Sequence, residues 1–314
     1  MIDIVKWVLW FPIRETLRFF LLIVPYHYVY NIGNLLGTIA YYLLPLNRKI
    51  VMDEVNILME GKLSNRELKY IAKETFRMMI NNEIDGMLFE DFTPERIKEV
   101  TEFEGIENLD AALNKGKGAI LILVHFGWHM HVIPALSLLG YKICQVGDFE
   151  PNVANERKGI IKNALIKKRL RNAEKLPMTF IKAQDFLRPL YNTLKENKIV
   201  IIAIDGPIGK DKKYFDFMNR KISLSTSPFR IASSTGAQIL PLFNVRKEDQ
   251  KHKIIIGDPL TDETEDVNIK NFLEILQKEF IRRPWNYALY IMYNRVRFAK
   301  IQGKPLFMEW DLKK

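Results

Sequence analysis

The run from Lys115 to His131 constrains the fold of this chain more than any other, because it reads as a buried strand that ends on a histidine. Lys115-Gly116-Lys117-Gly118 is a turn-prone lead-in, and Ala119 to Val124 is six apolar residues without alternation, half of them β-branched. A strand that is apolar on both faces must be covered on both faces, as in a parallel sheet between layers of helices. Beyond it, Trp128, Val132, Ile133, Leu136 and Leu139 recur at helical spacing up to Gly140. Sites in open α/β sheets form outside the carboxyl ends of strands, which is where His125 falls.

The same logic extends over the rest of the chain. Further strands are expected at Tyr141 to Val146, Met178 to Ile181, Ile199 to Ile204, Gln238 to Asn244 and Lys253 to Ile256, with helices at Gln184 to Glu196, Pro228 to Thr235 and Val267 to Arg282. Upstream, a helix from Arg48 to about Met59 precedes Ser64-Asn65-Arg66-Glu67, whose spacing is that of a capping box opening a long helix toward Phe89. Another helix is expected at Thr93-Pro94-Glu95. The sequence therefore predicts an α/β fold: a mixed, mainly parallel central sheet flanked by helices, with an apolar helical layer at the N-terminus. With 314 residues, 48% of them apolar, a sizeable core is available, and one cysteine, Cys144, excludes an intramolecular disulfide.

Residues 1–46 read as a unit apart from 47–314. Ile4 to Val24 is rich in Trp, Phe, Leu and Ile, but Lys6, Pro12, Arg14, Glu15 and Arg18 interrupt it, so a simple transmembrane span is not expected. Asp3 beside Lys6 and the lack of a small-residue cleavage site argue against a secretory signal. From Pro12 onward, Arg14, Glu15 and Arg18 share one helix face and Phe19, Phe20, Ile23 and Val24 the other, an interfacial pattern with Trp7 and Trp10 at headgroup depth. Tyr28 to Leu46 is a second apolar stretch with Gly33 and Gly37. The expectation is a membrane-associating helical hairpin, with a plain hydrophobic helical subdomain as the alternative.

The formal net charge of +10 implies an acidic partner. Basic residues are densest from Lys158 to Arg171, without interleaved aromatics or a nucleic-acid motif, so an anionic membrane surface or an acidic carrier is preferred over nucleic acid. Gly206 to Lys213 lacks the Gly-Lys-Ser/Thr ending of a phosphate loop and opens onto Tyr214-Phe215-Asp216-Phe217, so it reads as a lid or headgroup-contact loop. His125, His129 and His131 are three of five histidines, and three imidazoles with a water would make a zinc shell, a competing chemistry. Residues 129 and 131 point in opposed directions on a helix, which weighs against it.

Several pieces occur in an order that resembles the lysophospholipid acyltransferase superfamily. They are Phe103-Glu104-Gly105, Lys115-Gly116-Lys117-Gly118, His125-Phe126-Gly127, Asp205-Gly206, Phe215-Asp216-Phe217, Ser227-Pro228, Thr235-Gly236-Ala237, Leu240-Pro241 and Arg283-Pro284-Trp285 with Arg295. The branch most similar contains the lipid A lauroyl and myristoyl acyltransferases, together with the phosphatidylinositol mannoside acyltransferases. The resemblance implies an O-acyltransferase at the cytoplasmic face of the inner membrane. It would move a fatty acyl group from an acyl carrier protein or coenzyme A thioester to a hydroxyl of a membrane glycolipid, without a metal or nucleotide cofactor. Arg169, Arg171 and Lys210 could meet phosphate on the glycolipid or on the carrier's phosphopantetheine.

The family motif is a histidine, four residues, then Asp or Glu, with the histidine as general base and the carboxylate orienting it. Here the carboxylate position holds Met130, which can do neither. His125 is the expected base, with Asp205 at the end of a neighbouring strand or His129 as its orienting partner, and Asp216 next. A catalytically degenerate lipid-binding protein of the same fold is the alternative that Met130 raises.

Overall fold

The computed structural model describes residues 14–88, 93–146, 178–181, 188–206, 211–247, 249, 251–261, 264–297 and 304–313. Trp7, Trp10, the basic run from Lys158 to Arg171 and Lys210 lie outside them.

Seven strands form the central sheet: β1 (Thr101–Glu104), β2 (Ala119–Leu123), β3 (Ile143–Val146), β4 (Met178–Ile181), β5 (Ile199–Ala203), β8 (Gln238–Arg246) and β9 (His252–Ile256). Their order is β1-β9-β8-β2-β5-β3-β4, and every pairing is parallel except β8 with β9. The mainly parallel sheet expected from the sequence is thus observed. All five residues of β2 are buried, and they alternate between two cores. Ile120 and Ile122 join the larger cluster, while Ala119, Leu121 and Leu123 face a second one with Leu109, Val132 and Leu136. Helices α6 (Ile106–Leu113) and α7 (Val132–Leu138) supply the second face.

On the other face lie α8 (Arg188–Lys195), α9 (Ser227–Thr235), α10 (Glu265–Arg282) and α11 (Trp285–Arg297). Residues 207–210 of the expected lid loop lie outside the described residues, and beyond them residues 212–217 and 220–225 form an antiparallel hairpin, β6 (Lys212–Phe217) with β7 (Arg220–Ser225). The charges in Lys212-Lys213-Tyr214-Phe215-Asp216-Phe217 hide the strand because they break the apolar alternation that marks one. Lys212 and Phe217 are buried at its two ends, while Lys213 and Asp216 are exposed.

The N-terminal layer comprises α1 (14–23), α2 (Tyr26–Leu43), α3 (Pro45–Leu58), α4 (Asn65–Leu88) and α5 (Pro94–Val100). Ser64 and Glu67 exchange the reciprocal bonds of a capping box at the start of α4. Helix α2 packs on α4 through small and polar residues along its middle, with Val29, Tyr30 and Tyr41 buried toward its ends. A Cβ added at Gly37 would lie 2.5 Å from the Arg77 Cα, so only glycine permits this approach. Beside it Asn81 donates to Asn34, Arg77 to Thr38, and Tyr30 to Asp85. The apolar stripe of α2, namely Tyr28, Ile32, Leu35, Ile39, Tyr42 and Leu43, therefore faces outward. In α1 the sides are likewise inverted: Arg14 is 4% exposed and ion-paired with Glu15, while Phe19 is 61% and Ile23 65% exposed. Among the described residues no helix is long and apolar enough to cross a membrane.

Candidate active site

Strands β2 and β5 run parallel with Leu123 opposite Ala203, and the Ile204 amide continues the ladder by donating to the Leu123 carbonyl at 2.9 Å. Two residues further on, both chains leave the sheet side by side, delivering His125 and Asp205 to the same carboxyl edge. The Asp205 carboxylate is buried, with Oδ1 2.7 Å from His125 Nδ1 and Oδ2 accepting from the His125 amide at 3.0 Å. Tyr287 on α11 donates its hydroxyl to the same Oδ2 at 3.0 Å. Burial alone would push this carboxyl's pKa up, but the His125 charge and these donors outweigh it and hold it below the ordinary value. An ionised Asp205 can only accept, so His125 Nδ1 is the donor in this contact, and in the neutral imidazole that fixes Nε2 as the nitrogen bearing the lone pair.

The loop after His125 is fixed from two sides. Gly127 has φ 64° and a Cβ there would come within 2.1 Å of the Asn244 carbonyl oxygen, so the tight turn needs glycine. Its amide donates to the Asn286 carbonyl at 2.8 Å, and Asn244 Nδ2 donates to the Trp128 carbonyl at 2.7 Å. The short 3₁₀ turn His129–His131 follows, leading into α7.

That turn separates the histidines. The His129 ring lies edge-on to His125, centroids 4.5 Å apart, and desolvation together with the neighbouring His125 lowers its pKa to about 3, leaving it neutral. His131 turns away: its Nε2 meets Thr101 Oγ1 at 2.7 Å and its ring stacks on His252 at 4.0 Å. Burial, then His252, depresses its pKa well below the usual histidine range. Among the described residues no group of three or more His, Cys, Asp or Glu is arranged to hold a metal ion.

A scan against protein families matches residues 4–290 to the bacterial lipid A biosynthesis acyltransferases. The chain belongs to this family. Two curated relatives, a lipid A biosynthesis palmitoleoyltransferase of Escherichia coli (strain K12) and a lipid A biosynthesis acyltransferase of Shigella flexneri, are each 24% identical over 294 residues. Each alignment covers 90% of this chain and 89% of the relative. As a lipid A biosynthesis acyltransferase the chain is an enzyme of acyl transfer, and its substrate is of the lipid A type.

Within this acyltransferase the remaining candidates fall as follows. Met130 sits inside the 3₁₀ turn, and the carboxylate at His125 comes from β5. Asp216 is at the surface of the hairpin, paired with Lys221 at 2.7 Å. At the end of the Gly206–Lys213 segment, Lys212 is buried with its Nζ on the Gly206 carbonyl, and Lys213 faces Glu265 and Asp266 of α10. Burial lowers the Lys212 pKa to about 8, against the opposing pull of Asp205. Arg169, Arg171 and Lys210 lie outside the described residues. Tyr287 and Tyr290 were not anticipated. The only sequence signal for them is their three-residue spacing just after Arg283-Pro284-Trp285, which puts both on one face of α11.

Proposed function

We propose that this chain transfers a fatty acyl group from an acyl carrier protein or coenzyme A thioester to a hydroxyl of a lipid A-type glycolipid, with His125 as general base and Asp205 as its orienting carboxylate. The observation that carries the reading is the 2.7 Å contact between Asp205 Oδ1 and His125 Nδ1. Asp205 replaces the carboxylate that Met130 lacks. Nε2 takes the proton of the acceptor hydroxyl as its oxygen attacks the thioester carbonyl. The C–O bond forms, the C–S bond breaks, and the proton passes to the departing thiolate. A thioester is already activated, so proton removal and positioning supply the chemistry. The half-buried imidazole, with 26% of its side chain exposed, remains open to a substrate.

The reading places the enzyme on the cytoplasmic face of the inner membrane, held by residues 1–46. Soluble proteins turn the apolar side of a helix inward, whereas α1 and α2 turn theirs outward. Such a surface, on a chain of net charge +10, suits an anionic bilayer rather than water. Purified protein in anionic vesicles, offered acyl carrier protein and coenzyme A donors with a lipid A precursor, should form an acylated lipid seen by mass spectrometry. Retention of that product by His125→Ala would overturn the base assignment. Vesicle binding without transfer to any acceptor would favour a lipid-binding protein on the same fold.

A further inference from the structure

The first two turns of α11 touch the dyad at three points and the loop after His125 at one. Tyr287 donates to Asp205 Oδ2 at 3.0 Å, Tyr290 donates to the Asp205 main-chain carbonyl at 3.2 Å, and the Asn286 carbonyl accepts from the Gly127 amide at 2.8 Å. The fourth contact is a stack: the Tyr290 ring lies over the His125 imidazole with centroids 4.1 Å apart and planes within 2° of parallel. Where a carboxylate follows its histidine by one helical turn, the local backbone sets their relation. Here the two side chains come from strand ends 80 residues apart in sequence, and the one backbone contact between them, the His125 amide on Asp205 Oδ2 at 3.0 Å, leaves the imidazole plane unset.

We propose that Tyr287 and Tyr290 are the positioning residues of this site. Tyr287 joins the His125 amide on Oδ2 and with it fixes the rotation of the Asp205 carboxyl, so that Oδ1 faces Nδ1. Tyr290 fixes the plane of the imidazole so that Nε2 points at the acceptor. The proposal rests on His125 acting as the base. Both phenols have pKa values raised well above the ordinary tyrosine value, first by burial and then by Asp205, which keeps them protonated as donors. Tyr287 acts through Asp205 and Tyr290 through the plane of the imidazole, so their loss should lower turnover without altering donor or acceptor binding.

The test pairs steady-state kinetics with the tautomer of His125, read from imidazole nitrogen shifts of histidine-labelled protein in lipid nanodiscs. The His125 signal is assigned by its loss in His125→Gln. Wild type should show the Nδ1-protonated tautomer. Tyr287→Phe keeps the ring and removes one hydrogen bond; kcat should fall about tenfold or more with KM within about twofold, and the tautomer should become mixed. Tyr290→Phe keeps the stack and should stay within about threefold of wild type, whereas Tyr290→Leu should lose about tenfold in kcat. Wild-type kcat and an unchanged tautomer in both Tyr287→Phe and Tyr290→Leu would overturn the proposal. Should wild type itself transfer no acyl group, the base assignment fails, and the tautomer of the same variants still decides the positioning role.

Discussion

Asp205 meets His125 because two parallel strands end in register, and this is the residue-scale fact on which the chemistry turns. Part of it was legible in the sequence: an apolar run ending on a histidine and another ending on an aspartate mark two strand ends on one sheet edge. Asp205 is expected on a neighbouring strand, and β2 does pair with β5, but the register that sets it against His125 was not legible, since it is a property of the whole sheet. Asp205→Asn keeps the shape but cannot hold the proton on Nδ1, so kcat should fall by about 10²–10⁴-fold with the fold intact by circular dichroism. Met130→Glu should not raise the rate by as much as about tenfold, because Nδ1 already has its carboxylate. A larger gain in a transfer assay would mean that Asp205 is a poor substitute.

At the scale of elements, α1 and α2 carry amphipathic periodicity that the sequence displays and a direction that it does not. Helical spacing separates Arg14, Glu15 and Arg18 from Phe19, Phe20 and Ile23, but which side meets protein depends on what packs there. The structure turns the charged side inward for α1, and for α2 it puts Gly33, Gly37, Asn34 and Thr38 against α4. Gly37→Val should part the two helices and lower the melting temperature, since its Cβ would overlap Arg77 backbone. Leu35→Asp with Ile39→Asp changes only exposed positions, so the melt should hold while affinity for anionic vesicles falls at least about tenfold in sedimentation. Unchanged vesicle binding would remove the membrane role of this stripe. The β6–β7 hairpin was illegible for the opposite reason, as buried Lys212 and Arg220 break the apolar pattern that marks a strand.

Across the whole molecule, a buried polar network ties the helical layer to the sheet. Asp85 of α4 accepts from Tyr30 of α2 at 2.5 Å, pairs with Arg246 of β8, and lies 3.4 Å from His252 of β9, which stacks on His131. Its members fix a pH response. His129, His131 and His252 all titrate below the ordinary histidine value of 6.5, foremost because of burial. Facing His252 are Asp85, Arg246, His131 and Asn244. Below 6.5 the unfolded chain takes up protons that the folded chain refuses, so stability falls with pH by about 1.4 kcal/mol per unit for each such proton. Asp85 and Asp205, held below the usual carboxylate value, add stability that is present above that value and lost as pH falls through their folded pKa values. The melting temperature should therefore drop steeply as pH goes from 7 toward 5; a flat profile would show that these histidines are not buried neutral.

The most direct test of the account is a double-mutant cycle of acyl transfer in anionic vesicles, comparing wild type, His125→Ala, Asp205→Asn and the pair. If Asp205 acts only through His125, the double variant should be no slower than His125→Ala alone. Losses that multiply, or an Asp205→Asn enzyme as fast as wild type, would contradict a His125–Asp205 dyad at the centre of this acyltransferase.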